Sequence, residues 1–115
     1  MNTIYGISNC DTVKKALKFL DKHQINYSFH DFRKDGIDAD LVNSFLAQVD
    51  WSELINKRST TYRNLADDIK ESLSAATIVE LLIEQPTLIK RPVLVTQNEI
   101  TIGFKEPTYK QVFAL

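Results

Sequence analysis

Cys10 is the single cysteine among 115 residues. It stands where a short apolar strand, Thr3-Ile4-Tyr5-Gly6-Ile7, gives way to a helical pattern beginning near Asp11. Val13, Ala16, Leu17 and Leu20 recur at the spacing of one buried stripe, with Lys14, Lys15, Lys18 and Lys22 outside it. Cys10 therefore lies at or beside a helix N-terminus. There the unpaired backbone N–H groups and the positive end of the helix dipole favour a thiolate, the form that attacks disulfides and oxyanions.

A helix terminus contributes only about 0.3–1 kcal/mol, up to about 2 in sheltered geometry. The neighbouring Asp11 carboxylate, if it faced the sulfur, would oppose it. A reactive thiolate at this position consequently calls for a nearby cation. The candidates are Lys14, one turn along the helix, and the basic pairs Lys57-Arg58 and Lys90-Arg91, which only the fold can bring close. A lone cysteine beside a strand also fits the description of an inert buried thiol.

The elements that must position these groups follow from the periods. Ile25, Tyr27 and Phe29 alternate with Asn26, Ser28 and His30 as in a strand with one buried face. The chain thus begins β-α-β, read as a right-handed parallel crossover. Asp35-Gly36 marks a turn. Helical stripes follow at Leu41, Phe45, Leu46 and Val49, behind the cap candidates Asp38 and Asp40, and at Ile78, Leu81 and Leu82, behind Ser74 and Thr77. The second stripe stops before Pro86. The polar run Asn56–Arg63 between them opens a short helix near Tyr62.

Val93-Leu94-Val95 and Ile100-Thr101-Ile102-Gly103-Phe104 read as a hairpin across the loop Thr96-Gln97-Asn98-Glu99. Pro107 suits the first residue of a last helix carrying Tyr109, Val112 and Phe113. The predicted order is β-α-β, helical insert, β-β-α in one domain, residues 1–115. Its α/β core covers about residues 1–36 and 87–115 and its insert about 37–86.

Composition narrows the function. With 43% hydrophobic residues the chain can bury an ordinary core, and its formal net charge of −1 lacks the basic excess of a nucleic-acid binder. No run approaches the roughly 18 apolar residues of a membrane span, and Met1-Asn2-Thr3-Ile4 does not open like a secretory leader. One cysteine excludes an internal disulfide and a two-cysteine redox cycle, which fits a reducing, cytoplasmic setting. His23 and His30 lie on separate predicted elements and with one cysteine make no metal site. His30-Asp31, at the outer end of a strand, reads as a surface hydrogen bond.

Four stretches carry a resemblance that spans nearly the whole chain: Tyr5–Ala16 around Cys10, Phe29–Gly36, Asn56–Arg63 and Leu88–Leu94. The chain resembles the ArsC/Spx family, and within it the small monothiol YffB-like branch. The resemblance implies a thioredoxin-like fold with a mixed four-stranded sheet and an all-helical insert. It also implies glutathione-dependent thiol reductase activity with no bound cofactor and glutathione, or a thiol protein such as glutaredoxin, as reducing partner.

By the same resemblance Cys10 is the nucleophile, and Arg91 and Arg58 supply guanidinium groups. A planar, permanently charged fork both stabilises a thiolate and holds a carboxylate bidentately. Pro92 corresponds to the cis-proline of thioredoxin-like folds; Asn9, Thr12 and Lys14 flank the thiol; Lys105 aligns with a third arginine of the arsenate-binding site. Two departures set this chain apart. Arsenate reductases of the family carry a His-Asn-Pro-x-Cys-type loop, replaced here by Gly6-Ile7-Ser8-Asn9-Cys10, and Spx-type regulators often carry a second cysteine where Val13 stands. The alternatives implied are a non-redox regulator that contacts the RNA polymerase α subunit and a glutaredoxin-coupled arsenate reductase.

Overall fold

The computed structural model describes residues 2–115 and divides into two compact units, residues 2–35 with 91–115, and residues 36–90. In the first, β1 (Thr3–Gly6), α1 (Asp11–Lys22) and β2 (Ser28–Asp31) form a parallel crossover, Ile4 facing Phe29 and Gly6 facing Asp31. Then β3 (Val93–Val95) pairs antiparallel with β1, Leu94 opposite Ile4, and β4 (Ile100–Ile102) pairs antiparallel with β3. The sheet order is β2-β1-β3-β4. This mixed α/β sheet has the thioredoxin-like arrangement.

Alternation along the strands puts Ile4 and Leu94 on one face, where they meet Ala16, Phe19 and Leu20 of α1 and Tyr109 of the last helix, α7 (Glu106–Val112). Each fully buried aliphatic side chain of this kind contributes roughly 1.5–3 kcal/mol. The buried stripe of α1 is Val13, Ala16, Phe19 and Leu20; Leu17 is only half-buried. Phe19 belongs to the core because α7 adds a second wall, against which its ring packs edge-on to Tyr109 at 5.8 Å. The helix ends on Gln24 in the left-handed region (φ 56°), with Ile25 N–H on the Leu20 carbonyl at 2.9 Å and Gln24 N–H on Asp21 at 3.1 Å. This is a Schellman ending without the usual glycine.

The second unit holds α2 (Ala39–Leu46), α3 (Trp51–Leu54), α4 (Thr60–Arg63), α5 (Asp67–Glu71), α6 (Ala75–Glu84) and a 3-10 turn, Pro86–Leu88. The expected caps are in place. Asp38 accepts from Leu41 N–H at 2.9 Å, and Ser74 and Thr77 form a reciprocal capping box. Within this unit α2 packs on α6. The buried residues of α2 are Val42 and Phe45, a shift of one position from the expected Leu41 stripe, while Ile78 and Leu82 of α6 are buried as their period requires. The segments after α3 and before residue 91 are tied by Asn56 N–H to the Leu88 carbonyl and Lys90 N–H to the Leu54 carbonyl, both 2.8 Å. The short helices α3 and α5 fall below the length at which a period is readable.

Candidate active site

The strand registers bring several loops to one end of the sheet. Because β1 and β2 are parallel, Gly6 and Asp31 end side by side, and because β3 runs antiparallel to β1, its first residue, Val93, stands opposite Tyr5. Ile102, the last residue of β4, faces Val93 in turn. The Cys10 loop, the Asp31 loop, Arg91-Pro92 and the segment leading to Lys105 therefore all emerge at that end.

Cys10 is the N-cap residue of α1, with extended backbone (φ −92°, ψ 125°). Its N–H closes a turn on the Ile7 carbonyl at 3.1 Å, and its carbonyl accepts Lys14 N–H at 3.0 Å. The thiol is free and half-buried, and makes no capping hydrogen bond. The N-cap position thus belongs to Cys10 and not to Asn9 or Thr12, both of which are exposed. Cys10 thus stands at the helix end whose unpaired N–H groups and dipole present partial positive charge.

Two residues hold that loop, and neither was legible as functional from sequence. A Cβ at Gly6 would lie 2.7 Å from Val13 Cγ2, so glycine here lets the first turn of α1 press against the end of β1. Asp31 is 3% exposed. Its carboxylate accepts Arg33 N–H at 2.8 Å, Lys34 N–H at 3.2 Å and, across from β1, Ser8 N–H at 3.1 Å. Burial pushes the Asp31 carboxyl up, but these N–H groups outweigh it and hold it below the ordinary carboxylate range. The surface hydrogen bond expected of His30-Asp31 is corrected: Asp31 is a buried tie between the β2 exit and the cysteine loop. An available signal was the Asp31-Phe32-Arg33 pattern at a strand end, where an aspartate bonds the N–H two residues on. His30 instead lies against the Tyr5 ring at 4.9 Å.

The Arg91-Pro92 bond is cis. The Pro92 carbonyl accepts Gly103 N–H at 2.8 Å, and Gly103 takes a positive φ of 79° to make that approach. Arg91 is half-buried; Lys14 is exposed on α1, and the exposed Lys105 is the N-cap of α7. Arg58 lies in the helical unit, exposed, on the turn into α4, with its N–H on Asn56 Oδ1 at 3.1 Å. Cys10, Asn9, Thr12, Lys14, Arg91, Pro92 and Lys105 all belong to the sheet unit. Among the described residues no group of three or more His, Cys, Asp or Glu side chains is gathered as a metal site requires, and no helix is long and apolar enough to cross a membrane.

Known proteins similar to this chain identify its family. A protein of Haemophilus influenzae, itself described as uncharacterized, is 49% identical over 114 residues, which are 99% of this chain and 100% of that one. The global transcriptional regulator Spx of Streptococcus pyogenes is 28% identical over 108 residues, 92% of this chain and 80% of Spx. Among solved structures, the YFFB protein superposes with a TM-score of 0.91 at 39% identity, covering 96% of this chain and 97% of its own. An arsenate reductase (ArsC) related protein from Brucella melitensis superposes with a TM-score of 0.80 at 45% identity, covering 99% and 95%. Residues 5–112 match the model of the ArsC family, and the chain belongs to that family.

Proposed function

We propose that this protein is a cytoplasmic oxidoreductase, a glutathione-dependent thiol–disulfide reductase that works through the single nucleophile Cys10. The observation that carries the reading is the placement of a free, half-exposed thiol at the N-cap of α1, on the end of the sheet where the cis Arg91-Pro92 step also emerges. Cys10 thiolate attacks the glutathione sulfur of a mixed disulfide. The new S–S bond forms to Cys10 as the old one breaks, and the substrate sulfur departs as a thiolate that takes a proton from solvent. A second glutathione thiolate then attacks the Cys10-bound sulfur, leaving oxidised glutathione and regenerating the Cys10 thiolate. The incoming glutathione thiol is the reductant: its sulfur is oxidised as the substrate sulfur is reduced, and the glutathione sulfur of the mixed disulfide stays at the disulfide level throughout. One cysteine suffices, because the external thiol supplies the resolving step.

In this reading Arg91 and Arg58 hold the glutathione carboxylates and stabilise the departing thiolate, as charge-assisted, bidentate donors do. Asn9, Thr12, Lys14 and Lys105 contribute polar contacts around the sulfur. The backbone at Pro92 offers an edge against which an extended peptide thiol pairs. Cys10→Ser abolishes glutathione-linked reduction of a glutathionylated substrate; full residual turnover in that variant overturns the assignment.

The similarity to Spx over 108 residues favours one further reading, a regulator that acts by protein contact. Capture of the purified RNA polymerase α subunit, equal in the native protein and in Cys10→Ser, together with absent reductase turnover, selects it. Glutaredoxin-coupled arsenate reduction is tested in the same preparation with arsenate as the oxidant.

A further inference from the structure

The sheet unit carries a concavity that the thiol chemistry does not use. A groove of about 430 Å³ lies between α1 and the segment entering α7, lined by Phe19 and Phe104 with Lys15, Lys18, Lys22 and Glu106. The two rings stand 5.8 Å apart in an edge-on pair and form an apolar floor. Phe19 is 4% exposed and Phe104 half-buried. The three lysines are exposed and follow the i, i+3, i+7 spacing of one helix face, a row about 10 Å long at roughly 1.5 Å per residue. Their aliphatic stems extend the apolar wall while their ammonium groups stay at the rim. Among the described residues Glu106 is the one carboxylate lining the groove beside three lysines, so the rim carries a net charge of +2 in a chain whose total is −1. The nearest acid on α1 in sequence, Asp21, is turned to the Tyr27 hydroxyl at 2.9 Å.

We infer that this groove docks an acidic amphipathic helix of a partner protein, with one large apolar side chain seated against the half-buried Phe104 ring and the lysine stems, where Phe19 closes the floor, and carboxylates on both sides of it meeting Lys15, Lys18 and Lys22. The dimensions favour this occupant. Acids at i, i+4 and i+7 of a helix span the same length as the lysine row, whereas a small monocarboxylate would meet one ammonium and leave the rest of the row unused. A single-stranded nucleic acid needs open ring faces for its bases, and the Phe19 ring is closed over by the core. None of the lining residues belongs to the Cys10 site, so docking is independent of the thiol.

The test uses a synthetic helical peptide with one phenylalanine and glutamates three residues before it and one and four residues after it, so that the acids fall at i, i+4 and i+7, its twin with lysine in place of glutamate, its twin with alanine in place of phenylalanine, and a twelve-nucleotide single strand. Binding is followed by fluorescence anisotropy and by amide chemical shifts of the full-length protein. The acidic peptide is expected to shift amides of Lys15, Lys18, Lys22, Phe104 and Glu106, and to bind at least tenfold more weakly to the combined Lys15→Gln, Lys18→Gln, Lys22→Gln variant, whose thermal melt matches the native one. Affinity falls with salt, falls at least fivefold for the alanine peptide, and is unchanged in Cys10→Ser. The proposal is overturned if the acidic peptide fails to bind at millimolar concentration, shifts a different surface, or binds no better than its alanine twin. Binding of the oligonucleotide in preference to the peptide overturns it as well.

Discussion

Asp31→Asn tests whether a buried negative charge holds the cysteine loop. The carboxylate accepts three backbone N–H groups, two on Oδ1 from Arg33 and Lys34 and one on Oδ2 from Ser8, two residues before Cys10. An asparagine keeps one carbonyl oxygen for the local pair but turns an NH₂ toward Ser8 N–H, setting donor against donor. Hydrogen bonds to a charged group contribute about 1.5–3 kcal/mol each, so losing one at a site 3% exposed costs about 2–3 kcal/mol. Asp31→Ala, which strands all three donors, costs about 3–5 kcal/mol. With a urea slope of about 1–3 kcal/mol per molar for a small domain, the asparagine variant unfolds at a midpoint roughly 1–2 M lower, read by far-UV circular dichroism. The Ser8 amide also exchanges with deuterium at least tenfold faster, since roughly 1.4 kcal/mol is a factor of ten.

The pH dependence follows from the sign of the shift. The folded-state value is lowered, so the stabilisation is fully present above the ordinary aspartate value of about 3.9 and is lost as pH falls through the lower folded value. Below both values the native side chain is itself a neutral hydrogen-bond donor, much like asparagine. The gap between native protein and Asp31→Asn should therefore be full at pH 7 and shrink steadily below about pH 4. An equal gap at pH 7 and pH 2.5 would refute the reasoning, because the effect would then lie in shape and not in charge.

Other substitutions probe the remaining supports. Gly6→Ala places a methyl group 2.7 Å from Val13 Cγ2, and overpacking of this kind costs about 1–3 kcal/mol, measured as a lowered urea midpoint. Tyr109→Phe removes a buried hydroxyl with no hydrogen-bond partner among the described residues, so it raises stability by about 1 kcal/mol; a lowered melting temperature contradicts this. Gln24→Gly relieves a left-handed backbone at the end of α1 and gains about 0.5–1 kcal/mol by thermal melt. Arg91→Lys keeps the charge but loses the planar fork, so if Arg91 binds a glutathione carboxylate the KM for glutathione rises about tenfold, while a change in kcat alone places its role at the departing sulfur.

Read alone, the sequence determined whatever is local. The spacing of Val13, Ala16 and Leu20 puts a helix immediately after Cys10, the caps Asp38 and Ser74 start their helices where expected, and Val93–Val95 with Ile100–Ile102 form the hairpin. These features depend on side chains within one or two turns of each other. The order β-α-β, helices, β-β-α was legible for the same reason, while the four- and five-residue helices α3 and α5 were too short to show a period.

Tertiary structure decided what depends on strand pairing and on opposing walls. Only the register of β1 with β2 reveals that Asp31 is buried beside Ser8 and is not a surface partner of His30. Only the arrival of α7 buries Phe19, and only the packing of α2 on α6 selects Val42 over Leu41. Gly6 is small because Val13 approaches it, a contact between a strand and the helix that follows it. Likewise, Cys10 and the Arg91-Pro92 step, far apart in the chain, share one end of the sheet because β3 runs antiparallel to β1. The residue types for thiol chemistry are written in the chain, but their convergence is a property of the sheet, which pairs segments that local pattern leaves unrelated.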